Sequence, residues 1–352
     1  MKPKRLHSLL LLVPIACVWL AAAAAHAQPA SEDTLSAGLS VRLDNGQLLQ
    51  RVMNERAWAS RFEIRGGANP DPLAPEPERD FRLVPGLEQR QGLWTRGTVR
   101  FGNLDGGGEA NDIDSRSFGA MLGWDIRLGD EFRVGLAGTY FHSTWEGQQT
   151  GGNGSGNGYG GGIYASYALP RFYTSIAIDY IWDDLEHEYS AAGFPTSADS
   201  TGQQYGLSVE VGGLLGDPTG LAFAPIGGFA INQIDQADFV AASVTSLESR
   251  LGFRLSTLIP IDPTLFGTGT KGELGIEPEL HAFWHQEWGD TERPVSEGAG
   301  FLGAEAAAAS FRVGVGYTMR LHDVFLLQGG YDARIASDRL DHLGQVALLF
   351  VF

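Results

Sequence analysis

Residues 341–352 read DHLGQVALLFVF, and the side chains of Val346, Leu348, Phe350 and Phe352 fall on one face of an extended chain. Successive side chains of a strand point to opposite faces, so this spacing predicts a strand with one greasy, aromatic side. Working back from this segment, the same alternation recurs. Residues 311–321 set Phe311, Val313, Val315, Tyr317, Met319 and Leu321 against Arg312, Gly314, Gly316, Thr318 and Arg320. Residues 132–142 set Phe132, Val134, Leu136 and Tyr140 against Arg133, Gly135, Ala137 and Thr139. Alternation over eleven residues is a strong strand signal, and about 9 to 11 residues is what a tilted membrane strand needs.

Twelve such segments run from Leu93 to Phe352. Those near Phe118–Arg127, Phe172–Asp183, Tyr205–Val211 and Arg250–Leu255 are clear. Those at Leu93–Phe101, Tyr159–Leu169, Leu221–Ile231, Leu274–His285 and Phe325–Ile335 are weaker, two of them holding Pro225 and Pro278, each a lost ladder donor. An even count is what a single-chain bacterial membrane barrel requires. The links sort by parity. After the second, fourth, sixth and tenth segments they are turns such as Gly129-Asp130, Pro170-Arg171, residues 216–220 and His322-Asp323, with a longer one after the eighth, Pro260 to Thr270. After the first, third, fifth, seventh and ninth segments they read as long polar loops, notably Gly147–Gly158, with its GGNGSGNG core, and Ser190–Thr201. Short turns on one rim and long loops on the other are the periplasmic and extracellular sides of an outer-membrane barrel.

Composition agrees with this. Forty-eight glycines, 11% aromatics and a mean hydropathy of −0.09 suit strands that show lipid one face and a polar lumen the other. Lys2, Lys4 and Arg5, the apolar run Leu9–Leu20 and Ala25-His26-Ala27 predict a signal peptide cleaved near Ala27. Cys17 lies inside it, so the mature chain has no cysteine and no disulfide. Of 25 basic and 42 acidic residues, three basic ones and no acidic one precede residue 28, leaving a mature balance of −20. Such a chain is not expected to bind nucleic acid through phosphates. Beyond the signal the only lysine is Lys271; arginine, which suits paired positions in confined spaces, carries the remaining positive charge.

The stretches RSFGAMLGWD (116–125), FRVGLAGTY (132–140), GGGIYASY (160–167) and the closing LGQVALLFVF resemble the C-terminal translocator barrels of autotransporters, the type V secretion system. That resemblance covers roughly three quarters of the chain, from about Trp94 onward. It implies an all-β, antiparallel, up-and-down transmembrane barrel of twelve strands with a helix in its pore, an extracellular passenger, and a monomer seated in the Gram-negative outer membrane. It also implies partners: outer-membrane lipid and lipopolysaccharide, periplasmic chaperones, and a barrel-assembly machinery reading the closing strand through Val346, Leu348, Phe350 and Phe352. Three regions are expected: a signal at 1–27, an N-terminal segment at 28–85, and the barrel at 86–352. Residues Gln47–Trp58 have helical character, with Leu48, Val52 and Glu55 near one face, and either fill the pore or form a short surface or periplasmic helix. Residues Asn69–Glu78 read as a proline-rich linker. The N-terminal segment is far shorter than the family's usual passenger, so the role expected is display or transport of that segment, or a structural pore.

The inward faces carry Arg96, Arg100, Arg127, Arg133, Arg250, Arg254, Arg312, Arg320 and Arg334 beside Asp125, Asp179, Asp183, Glu210, Glu277, Glu279 and Asp332. Confined charges must be paired, so arginine–carboxylate ladders narrowing the pore are expected. Two constellations offer other readings. Asp183, Asp184 and His187 supply acid and base groups for an outer-membrane enzyme with a rim site, although neighbours on one strand rarely meet to activate water. Glu279, His281 and His285 contain a sparse ligand pattern with no closing set. No cofactor, metal or catalytic function is expected, and GGNGSGNGYGGG, which lacks a Lys-Ser/Thr and opens no helix, reads as a flexible loop. A diffusion porin is the remaining alternative; a luminal helix would leave it little bore.

Overall fold

The structure is a computed structural model. It describes residues 34–64 and, from 91 to 352, all but 105–111, 130, 148–151, 170, 192–193, 217–220, 238–241, 262–273, 290–307 and 323–324. The expected signal peptide and proline-rich linker lie outside the described residues.

One helix, α1 (Thr34–Ile64), precedes twelve antiparallel strands. These are β1 (Gln91–Leu104), β2 (Ile113–Leu128), β3 (Phe132–Gly147), β4 (Asn153–Leu169), β5 (Phe172–Ala191) and β6 (Phe194–Gly213). They continue as β7 (Leu221–Ala237), β8 (Ala242–Thr257), β9 (Leu274–Glu287), β10 (Ala309–His322), β11 (Phe325–Ala336) and β12 (Arg339–Val351). Two short pieces, Leu215–Gly216 and Ile259–Ile261, prolong β6 and β8 along their partners β7 and β9. Each strand pairs with its sequence neighbours, and β12 returns to β1 in a ladder from Gly92↔Val351 to Leu104↔Arg339. Gln91 and Phe352 exchange backbone hydrogen bonds of 2.8 and 2.9 Å at its end, so among the described residues the sheet closes on itself.

The two faces differ as the alternation requires. Leu122, Leu136, Ile163, Ile178, Val315 and Val346 are exposed on the outer wall. On β5 this apolar face runs from Phe172 to Trp182, then gives way to exposed Asp184 and Glu186. Aromatic rings mark both borders. Tyr159 packs 5.2 Å from Tyr140 and 6.1 Å from Trp182 at one, while Phe325 lies 4.8 Å from Phe350 and Phe223 5.4 Å from Phe253 at the other. An apolar band between aromatic girdles is the lipid-facing wall of a membrane barrel.

Two of the long polar loops expected after the odd segments, those after the third and fifth, are largely strand; the stretches after the first and ninth lie mostly outside the described residues. Asn153 opens β4 inside the presumed Gly147–Gly158 loop, and Ser190–Thr201 is almost wholly strand, with β5 and β6 separated only by residues 192–193. The paired carbonyls and amides simply continue past the lipid band, as in Asn153↔Glu188 and Glu186↔Asp199. Twenty residues at about 3.3 Å each reach roughly twice the span of the ~25 Å apolar band, even allowing for tilt. Among the described residues, β5 and β6 thus mark that rim by strand length. At the opposite rim Gly129 turns the chain with a φ of 67°, a conformation glycine adopts without steric cost.

The glycine-rich stretch is likewise structural. Gly154, Gly156, Gly158, Gly160 and Gly162 all face the lumen from β4, and a Cβ at these positions would strike Trp145, Leu185, Asp183, Ile181 and Met53 respectively. They are the space into which larger neighbours fit. Most of the contacts of α1 fall on β3, β4, β5 and β6, so the helix rests against this thin part of the wall.

Candidate functional site

The candidate site is the lumen itself, because α1 fills it. The helix spans Thr34–Ile64, whereas sequence periodicity pointed only to residues 47–58. At about 1.5 Å per residue it is ~46 Å long, enough to thread the barrel. Between Gly38 and Arg56 only Gln47 and Glu55 are even partly exposed. A helix buried on every side has no amphipathic stripe to betray it, and its polar side chains must find partners on the wall.

Those partners come in layers. Nearest the projecting ends of β5 and β6, Val41 packs with Ile113, Trp145 and Leu185, and Leu39 and Leu43 pack with Ile234 and Val244. Below this collar the Arg42 Nε donates to Asp183 at 2.8 Å. Asp44 binds Arg100 at 2.9 Å, lies 3.7 Å from Arg334, and also pairs with Arg339. Asn45 donates to Ser143 at 3.1 Å and accepts from Ser117 at 2.9 Å. Gly46 follows, where the side-chain amide of Gln204 comes so close that a Cβ would overlap it.

Deeper in the lumen, Leu48, Leu49, Val52 and Met53 join Met121, Phe141, Ala177 and Ile181 in the main apolar core. Gln50 donates to Asn232 at 2.8 Å, and Asn54 bridges two strands by donating to Ser208 at 3.0 Å and accepting from Ser175 at 2.8 Å. Glu55 binds Arg96 at 2.5 Å and approaches Arg254 at 3.6 Å. Arg56 ends the series on Asp125, which also accepts from Arg133 at 2.9 Å and from the Tyr164 hydroxyl at 2.8 Å.

The other inward charges fall into place around this column. Arg250 binds Glu210 at 2.7 Å and Arg254 binds Glu279 at 3.1 Å. Arg127 and Glu277 are buried, Arg320 is half-buried, and Arg312 and Asp332 stand 4.0 Å apart. Val346 and Phe352 are exposed and Leu348 and Phe350 half-buried on the outer wall, while Leu343, Ala347 and Leu349 of the same strand are buried inside. The helix partners Arg42, Asp44, Asn45, Gln50, Asn54 and Arg56 escaped sequence reading, as did Glu248, Arg339 and Asp341. Period-two alternation could have placed the wall members inside; no local signal names the helix residue each one meets.

The two other constellations do not gather. Asp183 faces inward on Arg42 while Asp184 faces outward, and buried His187 lies 3.1 Å from Ser200. His281 lies between Glu279, at 3.2 Å, and Asp332, at 2.5 Å, but His285 turns to Glu248 at 3.0 Å. Among the described residues no three potential ligands converge on a metal position.

Comparison with known proteins sets this arrangement in context. The family model for the autotransporter beta-domain matches residues 93–332. Comparison with curated protein sequences found no match. Among solved structures, the translocator domain of autotransporter NalP from Neisseria meningitidis aligns with a TM-score of 0.61 at 12% identity, covering 85% of this chain and 94% of that one. The beta domain of the Bordetella autotransporter BrkA aligns at 0.57 and 16% identity, covering 74% and 98%. The transport unit of AIDA-I from Escherichia coli aligns at 0.57 and 11% identity, covering 84% and 97%. At these identities the structures speak for the fold, and the family model, spanning well over half of the sequence, speaks for kinship. The chain belongs to the autotransporter beta-domain family and is a twelve-stranded outer-membrane barrel with its own helix in the lumen.

Proposed function

We propose that this barrel holds its own N-terminal residues at the cell surface, with α1 serving as both tether and plug. The observation that carries this reading is the direction of the helix. Its Leu39–Leu43 end lies among the ends of β3, β5 and β7 and the starts of β2 and β8, on the side where β5 and β6 project. Its Arg56 end lies at Asp125, beside the start of β1 and the tight turn at Gly129. Tight turns mark the periplasmic rim of outer-membrane barrels. A chain entering the lumen from outside and running back to the periplasmic start of β1 leaves residues 28–33 outside the cell.

This reading includes cleavage near Ala27, outer-membrane lipid and lipopolysaccharide around the apolar band, and delivery by periplasmic chaperones to a barrel-assembly machinery. The helix-filled lumen counts against an open diffusion pore. An epitope inserted at Ser31 tests the display directly: in intact cells it should be stained by antibody and removed by added protease. Protection in intact cells, with cleavage only after the outer membrane is opened, would refute it.

A further inference from the structure

Because α1 leans on β3–β6, space remains on its other side. A cavity of about 70 Å³ lies between the helix and the wall formed by β1 and β8–β12. That exceeds the ~10–15 Å³ a single water requires. Five arginines line it, Arg51 from the helix and Arg100, Arg250, Arg312 and Arg334 from the wall, against four carboxylates, Asp44, Glu248, Asp332 and Asp341.

Each carboxylate already has a partner, and none of them forms a close pair with Arg51 or Arg312. Asp44 takes Arg100 and Arg339, Asp341 takes Arg339, and Glu248 takes His285 at 3.0 Å with Arg334 at 3.6 Å. Asp332 receives His281 at 2.5 Å, while Arg51 and Arg312 stay 3.7 and 4.0 Å from it. Arg250 points its bond to Glu210, outside the cavity lining. Arg312 lies over the Phe283 ring at 4.8 Å and is 7% exposed. The Nε atoms of Arg51, Arg100, Arg250 and Arg312, and Nη2 of Arg100, are buried with no hydrogen-bond partner among the described residues.

We propose that this cavity binds one small inorganic anion of chloride size, held by Arg51 and Arg312 and completing the contact between helix and wall. Water in the cavity would supply acceptors but would leave the surplus positive charge uncompensated. An anion supplies both, and charge-assisted hydrogen bonds are the strong ones. The bound ion bridges α1 and β10, so it stabilises the plugged state specifically. The inference concerns the resting structure and holds whether or not residues 28–33 reach the surface.

The test is the urea midpoint of the full chain in detergent at fixed ionic strength, with sodium chloride progressively replacing sodium gluconate, whose anion is too large to enter. The wild type should gain stability with chloride and saturate, as for any ligand that binds only the folded state. Arg312→Gln should weaken the chloride response about tenfold, the worth of one charged hydrogen bond, each salt response being referred to the same protein's midpoint in gluconate. Equal midpoints of the wild type in both salts, or an undiminished chloride response in Arg312→Gln, would overturn the site. Should the variant not fold, bromide in wild-type crystals decides: an anomalous peak beside Arg51 and Arg312 supports the site, and an empty cavity removes it.

Discussion

The Asp125 carboxylate accepts hydrogen bonds from Arg56 at 2.6 and 3.1 Å, from Arg133 at 2.9 Å and from the Tyr164 hydroxyl at 2.8 Å. Trp94 in turn donates to Tyr164 at 2.9 Å, so one side chain ties the helix to four strands. Removing its charge leaves two guanidinium groups facing a neutral amide in a site 1% exposed. Breaking a buried pair in this way costs about 3–5 kcal/mol. Asp125→Asn should therefore lower the urea midpoint sharply, whereas Asp114→Asn, at an exposed position beside Asn103, should stay within about 0.5 kcal/mol of wild type. Equal midpoints for the two variants would mean that the lumen network carries no stability. Alternation along β2 and β3 was enough to place Asp125 and Arg133 inside. Their partner Arg56 was not legible, because the pair is 69 residues apart in sequence and no local pattern encodes a contact of that range.

At the scale of elements, the helix and β4 show why propensity alone misreads this chain. Glycine usually marks turns, so GGNGSGNG reads as a loop, yet at alternate inward positions of β4 it makes room for Trp145, Leu185 and Asp183. A valine at Gly162 would place its Cβ about 3.0 Å from Met53 and 2.6 Å from the Ile178 carbonyl. Gly162→Val should strain the β4–β5 ladder locally and loosen α1, seen as faster amide exchange around Ile178 and across residues 39–56 with most of the barrel's strand signal retained. Leu49, fully buried in the main core, should cost about 2–5 kcal/mol on truncation to alanine, read as a shift in urea midpoint. The helix ran longer than its periodic stretch because burial on all sides calls for a mixture of polar and apolar residues. A surface helix would have shown a stripe.

For the whole molecule, the closing strand was the most legible feature. Its alternating faces, repeated twelve times, were enough to specify a barrel, and the β12–β1 ladder joins the ends of the wall. The shape of the outer rim was less legible, since polar strand and polar loop share a composition once the lipid band is passed. Function at this scale turns on whether the helix closes the bore. The most direct measurement is single-channel conductance in planar bilayers, comparing the full chain with one lacking residues 28–60, each first shown to be folded by heat-modifiable migration. The full chain should conduct weakly and the truncated chain several-fold more. Equal conductance from the two would contradict a lumen plugged by α1.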